Sequence, residues 1–181
     1  GPGFVNIRLD SAVQGQLART VVEAGSTWGH GDSLAGKRVN VEFISANPTG
    51  PLHLGHTRWA AVGDAIARVL TAAGAEVSTE FYINDRGVQM DKFGASVMAA
   101  AHGRPVPEDG YHGGYILDLA AAIMMARPDI KDLPDDQQLV AFREAAYALQ
   151  LRQQQQVLEL FRTHFDVWFS ERSLHESGAV E

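Results

Sequence analysis

The stretch SANPTGPLHLGHTRWAAVGDA, Ser45 to Ala65, sets two histidines three residues apart around Gly55. At that spacing His53 and His56 share one face of a helical turn. Two imidazoles so placed can donate hydrogen bonds to one phosphate chain. Gly55 lacks the Cβ that would hold a base or ribose away from the backbone. The Pro/Gly loop before the pair and the helix start after it add unpaired N–H groups and the positive end of a helix dipole, which accept phosphate. His53, Gly55 and His56 together therefore read as a nucleotide-phosphate grip, suited to stabilising charge that develops on a phosphoryl group. Two solvated histidines without a role are the plain alternative. A zinc site is another, but there is no HExxH and no cysteine, so no metal ligands are assigned.

Such a grip needs a strand and a helix to aim it. RVNVEFI (Arg38–Ile44) and EVSTEFYI (Glu76–Ile83) read as strands. Between them a helix is expected from about Gly55 to Ala73, its buried face formed by Val62, Ala65, Ile66, Val69, Leu70 and Ala73, with Gly74 closing it. Strand, helix and strand make a βαβ unit with an expected right-handed crossover. In such a sheet ligands bind beyond the C-terminal ends of the strands, where the loop Asn47–Leu52 lies.

Upstream, FVNIRL (Phe4–Leu9) alternates like a short strand. A helix opening near Ser11 follows, then a Gly/Ser-rich linker over 25–36. Downstream the pattern turns helical: VQMDKFGASVMAAAH, then Tyr115–Ala126, then a long helix from about Pro134 to Phe165 carrying Leu139, Phe142, Ala146, Leu149, Gln153, Val157 and Leu160 on one stripe. The run Gln153–Gln156 reads as a solvated helix face. Trp59 and Tyr82 read as core aromatics, and His102, His112, His164 and His175 as incidental. VWFS (Val167–Ser170) is a third strand candidate, and the last residues begin another helix.

Composition is that of an ordinary globular chain: 181 residues, 45% hydrophobic, 20% charged, net charge −7 and no cysteine. The acidic balance argues against a broad nucleic-acid-binding face in this segment, so any RNA contact made here is expected to be local. No run is long and apolar enough to span a bilayer, no secretory signal opens the chain, and the lack of cysteine fits a reducing, cytoplasmic setting.

HLGH after a first strand resembles the HIGH motif of class I aminoacyl-tRNA synthetases. The longer segments VEFISANPTGPLHLGHTRWAAVGDAIARVL and EFYINDRGVQMDKFG are similar to the arginyl-tRNA synthetase family, as are FDVWFSERSLHESGAVE and GPGFVNIRL at the two ends. The resemblance implies an α/β fold, the first half of a Rossmann-like parallel-sheet catalytic domain with a helical insertion. It divides the chain into the tail of an N-terminal additional domain with its linker (1–30), the first catalytic half (31–90), the insertion (91–165) and a return to the catalytic domain (166–181).

It further implies two-step chemistry: arginine and ATP form arginyl-adenylate, and the arginyl group passes to tRNA(Arg). His53, Gly55 and His56 would bind ATP, with both histidines catalytic. Glu42, Ser45 and Asn47 would hold arginine, a planar cation that a carboxylate can pair bidentately. Asn84, Asp85 and Gln89 would form a loop near the amino-acid pocket and the acceptor end, with Gly87 in its turn. Mg²⁺ would arrive with ATP, with no permanently bound cofactor. Read from residue type alone, the alternatives are an exposed strand position for Glu42 and turn-forming residues for Ser45, Asn47 and Asn84–Gln89. Arg58 is open between an ion pair and a ligand contact, whereas Asp64 and Arg68 read as an i, i+4 ion pair.

The three lysines, Lys37, Lys92 and Lys131, lie in no KMSKS-type motif, so the chain resembles a fragment whose partner is the remainder of a synthetase. Alternatives are a nucleotidylyltransferase of the HxGH type and a fragment acting only as a nucleotide-binding or interaction module.

Overall fold

The structure, a computed structural model, describes residues 3–180. Three parallel strands form one sheet in the order β1-β2-β3: β1 (Arg38–Glu42), β2 (Glu76–Ile83) and β3 (Val167–Ser170). β1 and β2 run in register from Arg38 opposite Glu76 to Glu42 opposite Glu80. β3 joins the other side of β2, with Phe81 opposite Trp168 and Tyr82 opposite Phe169. The expected α/β class is the class observed.

α1 spans Ser11–Ala24 and α2 spans Leu54–Ala72. Between β2 and β3 lie α3 (Val88–Ala101), α4 (Gly114–Ala126) and α5 (Asp135–Leu160), and α6 (Glu171–Glu176) follows β3. The acidic pair Asp135 and Asp136 occupies the first turn of α5, where the helix dipole favours negative charge. None of the described helices is long and apolar enough to cross a membrane.

Two cores form. Met90, Phe93, Val97, Ile116, Leu119, Ile123, Phe142 and Ala146 close the first among α3, α4 and α5. Ile44, Ala46, Ala60, Phe81, Ile83 and Leu158 form the second, between the sheet, α2 and the C-terminal half of α5. There Phe81 stacks on Trp168 at 4.5 Å between ring centroids, and Phe165 meets Phe43 at 4.5 Å. The Gly/Ser linker is more than a spacer. The N–H groups of Gly31 and Leu34 donate to the carbonyls of Ala72 and Ala73, closing the end of α2.

Several expectations need correcting. Phe4–Leu9 forms no strand; these residues have no ladder partner among those described, and Phe4, Val5 and Ile7 are exposed. A strand is stable only when another accepts its hydrogen bonds. α1 opens at Ser11 as expected, and its cap is Asp10, which accepts from the Ala12 N–H at 2.8 Å. α2 buries Ala60, Gly63 and Ala67, while Val62, Ile66 and Val69 are exposed. The reason is close approach: a Cβ built at Gly63 would lie 2.2 Å from the Phe43 ring, so the small residues face the sheet. α5 stops at Leu160 rather than Phe165. Its buried stripe runs Gln138, Phe142, Ala146, Gln150, Gln154, Leu158, so Gln153, Val157 and Leu160 lie off it.

Candidate functional site

The backbone leaves β1 through two consecutive left-handed residues, Ile44 (φ 68°) and Ser45 (φ 42°). Left-handed geometry is costly for a β-branched residue and persists only where surroundings hold it. Here Ile44 is buried against the second core. The Ser45 N–H donates to the Phe43 carbonyl at 3.0 Å, and the Tyr82 N–H donates to Ser45 Oγ at 3.1 Å. Ser45 thus splices the mouth of β1 onto β2.

The loop that follows is held from the helical insertion. Gln154 Nε2 donates to the carbonyls of Asn47 (3.0 Å) and Gly50 (2.9 Å), and Tyr115 Oη donates to the Thr49 carbonyl at 3.0 Å. Pro48, Thr49 and Gln154 are buried. The reading of Gln153–Gln156 as a wholly solvated face is therefore wrong at Gln154. The loop exposes inward-facing carbonyls that need donors, and a glutamine amide supplies two. Asn47 Nδ2 donates across to Gln89 Oε1, bringing two of the expected site residues together.

His53 is the N-cap of α2, and both histidines share in a capping box. His53 Nδ1 accepts from the Gly55 N–H at 3.1 Å, and His56 Nδ1 accepts from the His53 N–H at 3.1 Å. With each Nδ1 acting as an acceptor, each neutral ring carries its proton on Nε2. The two rings lie 3.9 Å apart. Burial, and then the neighbouring His53, lower the pKa of His56 below its ordinary value, favouring the neutral ring. The first-turn N–H groups that the sequence offers to a ligand are thus partly taken up by the imidazoles. Gly55 has an immediate structural reason as well: a Cβ there would sit 3.0 Å from the His53 ring.

Both histidines line a cleft of about 400 Å³, shared with Ser45, Asn47, Gly50, Trp59, Tyr111 and Tyr115. Trp59 is half exposed, meets the His56 ring edge-on at 5.9 Å between centroids, and is not a core residue. Tyr82 is partly buried and stacks on Phe169. Burial raises the pKa of the Tyr115 hydroxyl, and nearby Tyr111 adds to this, so it stays a donor. Glu42 lies outside the cleft lining, at the end of β1 opposite Glu80. Arg58 is exposed and joins no ion pair among the described residues, while Arg68 and Asp64 pair at 2.7 Å as expected.

In the loop after β2, Asn84 and Gln89 are exposed, Gly87 is left-handed (φ 85°) and caps α3, and Asp85 is 1% exposed. The Asp85 carboxylate accepts from Ser170 Oγ (2.6 Å), Tyr147 Oη (2.9 Å) and the Arg172 N–H (3.2 Å). Arg172 also donates to the Asp85 carbonyl and pairs with Glu144, with its guanidinium over the Tyr147 ring. Burial, then the Asp85 carboxylate, push the Tyr147 pKa upward. Asp85 therefore ties β2, α5 and β3 together. Tyr115, Tyr147, Gln154 and Arg172 were not singled out from sequence. The i, i+4 spacing of Gln150 and Gln154 with Ala146 and Leu158 was a signal for Gln154 alone, and nothing in the sequence marked the other three. No group of three His, Asp or Glu residues suited to a metal occurs among the described residues.

Residues 21–163 match the family described as tRNA synthetases class I (R), catalytic domain. An arginine–tRNA ligase of Micrococcus luteus is 55% identical over 181 residues, covering all of this chain and 33% of that protein. One from Renibacterium salmoninarum shows the same identity and coverage. A crystal structure from Campylobacter jejuni assigned as an arginyl-tRNA synthetase superposes with TM-score 0.81 at 29% identity, over 93% of this chain and 38% of that one. The chain spans about a third of the length of the curated relatives it matches.

Proposed function

The chain belongs to the arginine-type class I tRNA synthetases, catalytic domain, and from that premise we propose that it is the HxGH-bearing part of an arginine–tRNA ligase. In this reading residues 31–90 and 166–181 belong to a Rossmann-like catalytic domain, residues 91–165 are inserted into it, and residues 1–30 lead in from a preceding domain. The arginine carboxylate attacks the α-phosphorus of ATP, forming arginyl-adenylate and releasing pyrophosphate. The terminal ribose hydroxyl of tRNA(Arg) then attacks the adenylate carbonyl and releases AMP. The setting is cytoplasmic.

One observation carries the reading: both Nδ1 atoms are engaged by backbone N–H groups, so the two Nε2–H donors remain for a ligand in a cleft both rings line. Fixed donors aimed at developing phosphoryl charge need no reorganisation during reaction. Positioning and charge neutralisation, rather than a covalent enzyme intermediate, drive such a step. Ser45 and Asn47 present the amino acid to the phosphate, Glu42 takes its cationic part, and Asn84 and Gln89 border the pocket. Mg²⁺ would enter on the phosphates of ATP as part of the substrate complex, and the described residues that line the cleft include no carboxylate to hold it directly.

The test is pyrophosphate exchange into ATP by the full-length protein. Exchange that requires arginine and tRNA(Arg) supports the ligase. Exchange driven by a different acceptor points to an HxGH nucleotidylyltransferase, and ATP binding without exchange reduces the chain to a nucleotide-binding module.

A further inference from the structure

We propose that Gln154, with Tyr115, is a positioning residue: the helical insertion sets the arginine-binding loop Asn47–Gly50 by holding its backbone carbonyls. The inference rests on the ligase reading for its substrate and on geometry for everything else. Gln154 is 1% exposed. A glutamine amide has two N–H donors on one nitrogen, and Gln154 Nε2 reaches two carbonyls, Asn47 at 3.0 Å and Gly50 at 2.9 Å. The reverse rotamer would turn Oε1 toward two carbonyl oxygens, so the orientation is forced. Gln154 Oε1 has no hydrogen-bond partner among the described residues, so the amide is set by its donor side. A side chain whose function was only to fill space at this point of α5 would more cheaply be apolar.

Tyr115 completes the hold from α4 by donating to Thr49, the carbonyl between those two. Three of the four loop residues 47–50 thus have their carbonyls fixed by side chains more than 60 positions away in sequence. The Asn47 side chain is left free to reach Gln89 and the cleft. The left-handed pair Ile44–Ser45 fixes the near end of the same loop. The insertion therefore sets where Asn47 stands, without contacting substrate through Gln154.

Gln154→Glu tests this in the full-length enzyme, because the isosteric carboxylate presents oxygen to two carbonyls. Tyr115→Phe is the milder second variant, and Gln155→Glu, exposed on the same run, is the control. Hydrogen exchange at the 45–52 backbone and exchange kinetics are read together. The expected result for Gln154→Glu is roughly tenfold faster loop exchange and a roughly tenfold higher KM for arginine, with kcat and the KM for ATP within about twofold. Tyr115→Phe should move both in the same direction by about threefold, and Gln155→Glu should move neither. Unchanged loop exchange and arginine KM in Gln154→Glu would overturn the proposal. So would a uniform rise in hydrogen exchange across the chain with both KM values rising together, which marks a merely structural residue. A wild-type enzyme without arginine-dependent exchange would refute the ligase reading, while the hydrogen-exchange comparison still judges the hold on the loop.

Discussion

At the scale of single residues, the proposed phosphate grip gives each histidine two separable roles, one for each ring nitrogen. Nδ1 of His53 caps α2, and its Nε2 is offered to the cleft. Asparagine is among the best N-caps and can replace the first role but not the second. His53→Asn should therefore keep the thermal midpoint of the wild type while lowering arginine-dependent exchange by about 10²-fold. His53→Ala should lose the same activity and also about 1 kcal/mol of stability. Equal stability in both variants would show that the cap contributes nothing. His56 carries a pH signature. Its pKa is lowered by burial and then by His53, so its contribution to stability is fully present above the ordinary value of 6.5 and is lost as pH falls through the lowered one. NMR titration of the His56 ring should give a midpoint below 6.5, and a midpoint above it would contradict the Nδ1 assignment. The spacing His-x-x-His was legible in the sequence because helical periodicity alone puts the rings on one face. The tautomer was not, since it depends on backbone N–H groups that exist only once the cap has formed.

At the scale of elements, the sequence shows where helices and strands occur better than it shows which way they face. β2 and β3 match their expected residues, β1 ends at Glu42 rather than Ile44, and α1 to α5 begin within a residue or so of their expected starts, because periodicity, glycine and proline act locally. The face of α2 was misread because an apolar stripe reveals that a helix is amphipathic, not what lies against it. Ala60, Gly63 and Ala67 face the sheet for a steric reason invisible from periodicity: the Phe43 ring occupies the space a larger side chain would need. Gly63→Ala should destabilise the chain by about 1–3 kcal/mol through overpacking, even though alanine is the better helix former. Denaturant titration of Gly63→Ala, with and without Phe43→Leu, measures this, and Phe43→Leu should recover most of the loss. A Gly63→Ala variant as stable as the wild type would mean that α2 can move away from β1 without penalty. Gln154 illustrates the same limit in α5. A buried glutamine on an apolar stripe is explicable only after the loop carbonyls it satisfies are in place, and those lie over 100 residues earlier.

At the scale of the whole molecule, two cores are joined by few elements, and α5 is the principal one. Its N-terminal half contributes Phe142 and Ala146 to the first core, and its C-terminal half contributes Leu158 to the second. At 26 residues it extends about 39 Å. The buried Asp85 adds a cross-tie, bonding Tyr147 on α5 and Ser170 on β3 from the end of β2. A continuous helix shared by two cores should make them unfold together, because fraying either half exposes apolar surface in the other. The distribution of tryptophan makes this measurable: Trp28, Trp59 and Trp168 all lie outside α3–α5, whereas those three helices hold more than half of the described helical residues. Urea unfolding of this chain followed by tryptophan fluorescence and by circular dichroism at about 222 nm should therefore give coincident curves. Ala148, exposed in the middle of α5, is the place to cut the connection. Proline there removes a helical hydrogen bond and crowds the preceding turn at a cost of about 3 kcal/mol, whereas glycine costs about 1 kcal/mol and leaves the helix continuous. Ala148→Gly should shift both curves together, and Ala148→Pro should separate them, with the fluorescence transition moving to lower urea as the Gln154 hold and Leu158 packing are lost. Curves already separate in the wild type would show that α5 does not couple the cores, and that the loop Asn47–Gly50 is held by a unit that opens independently of the sheet.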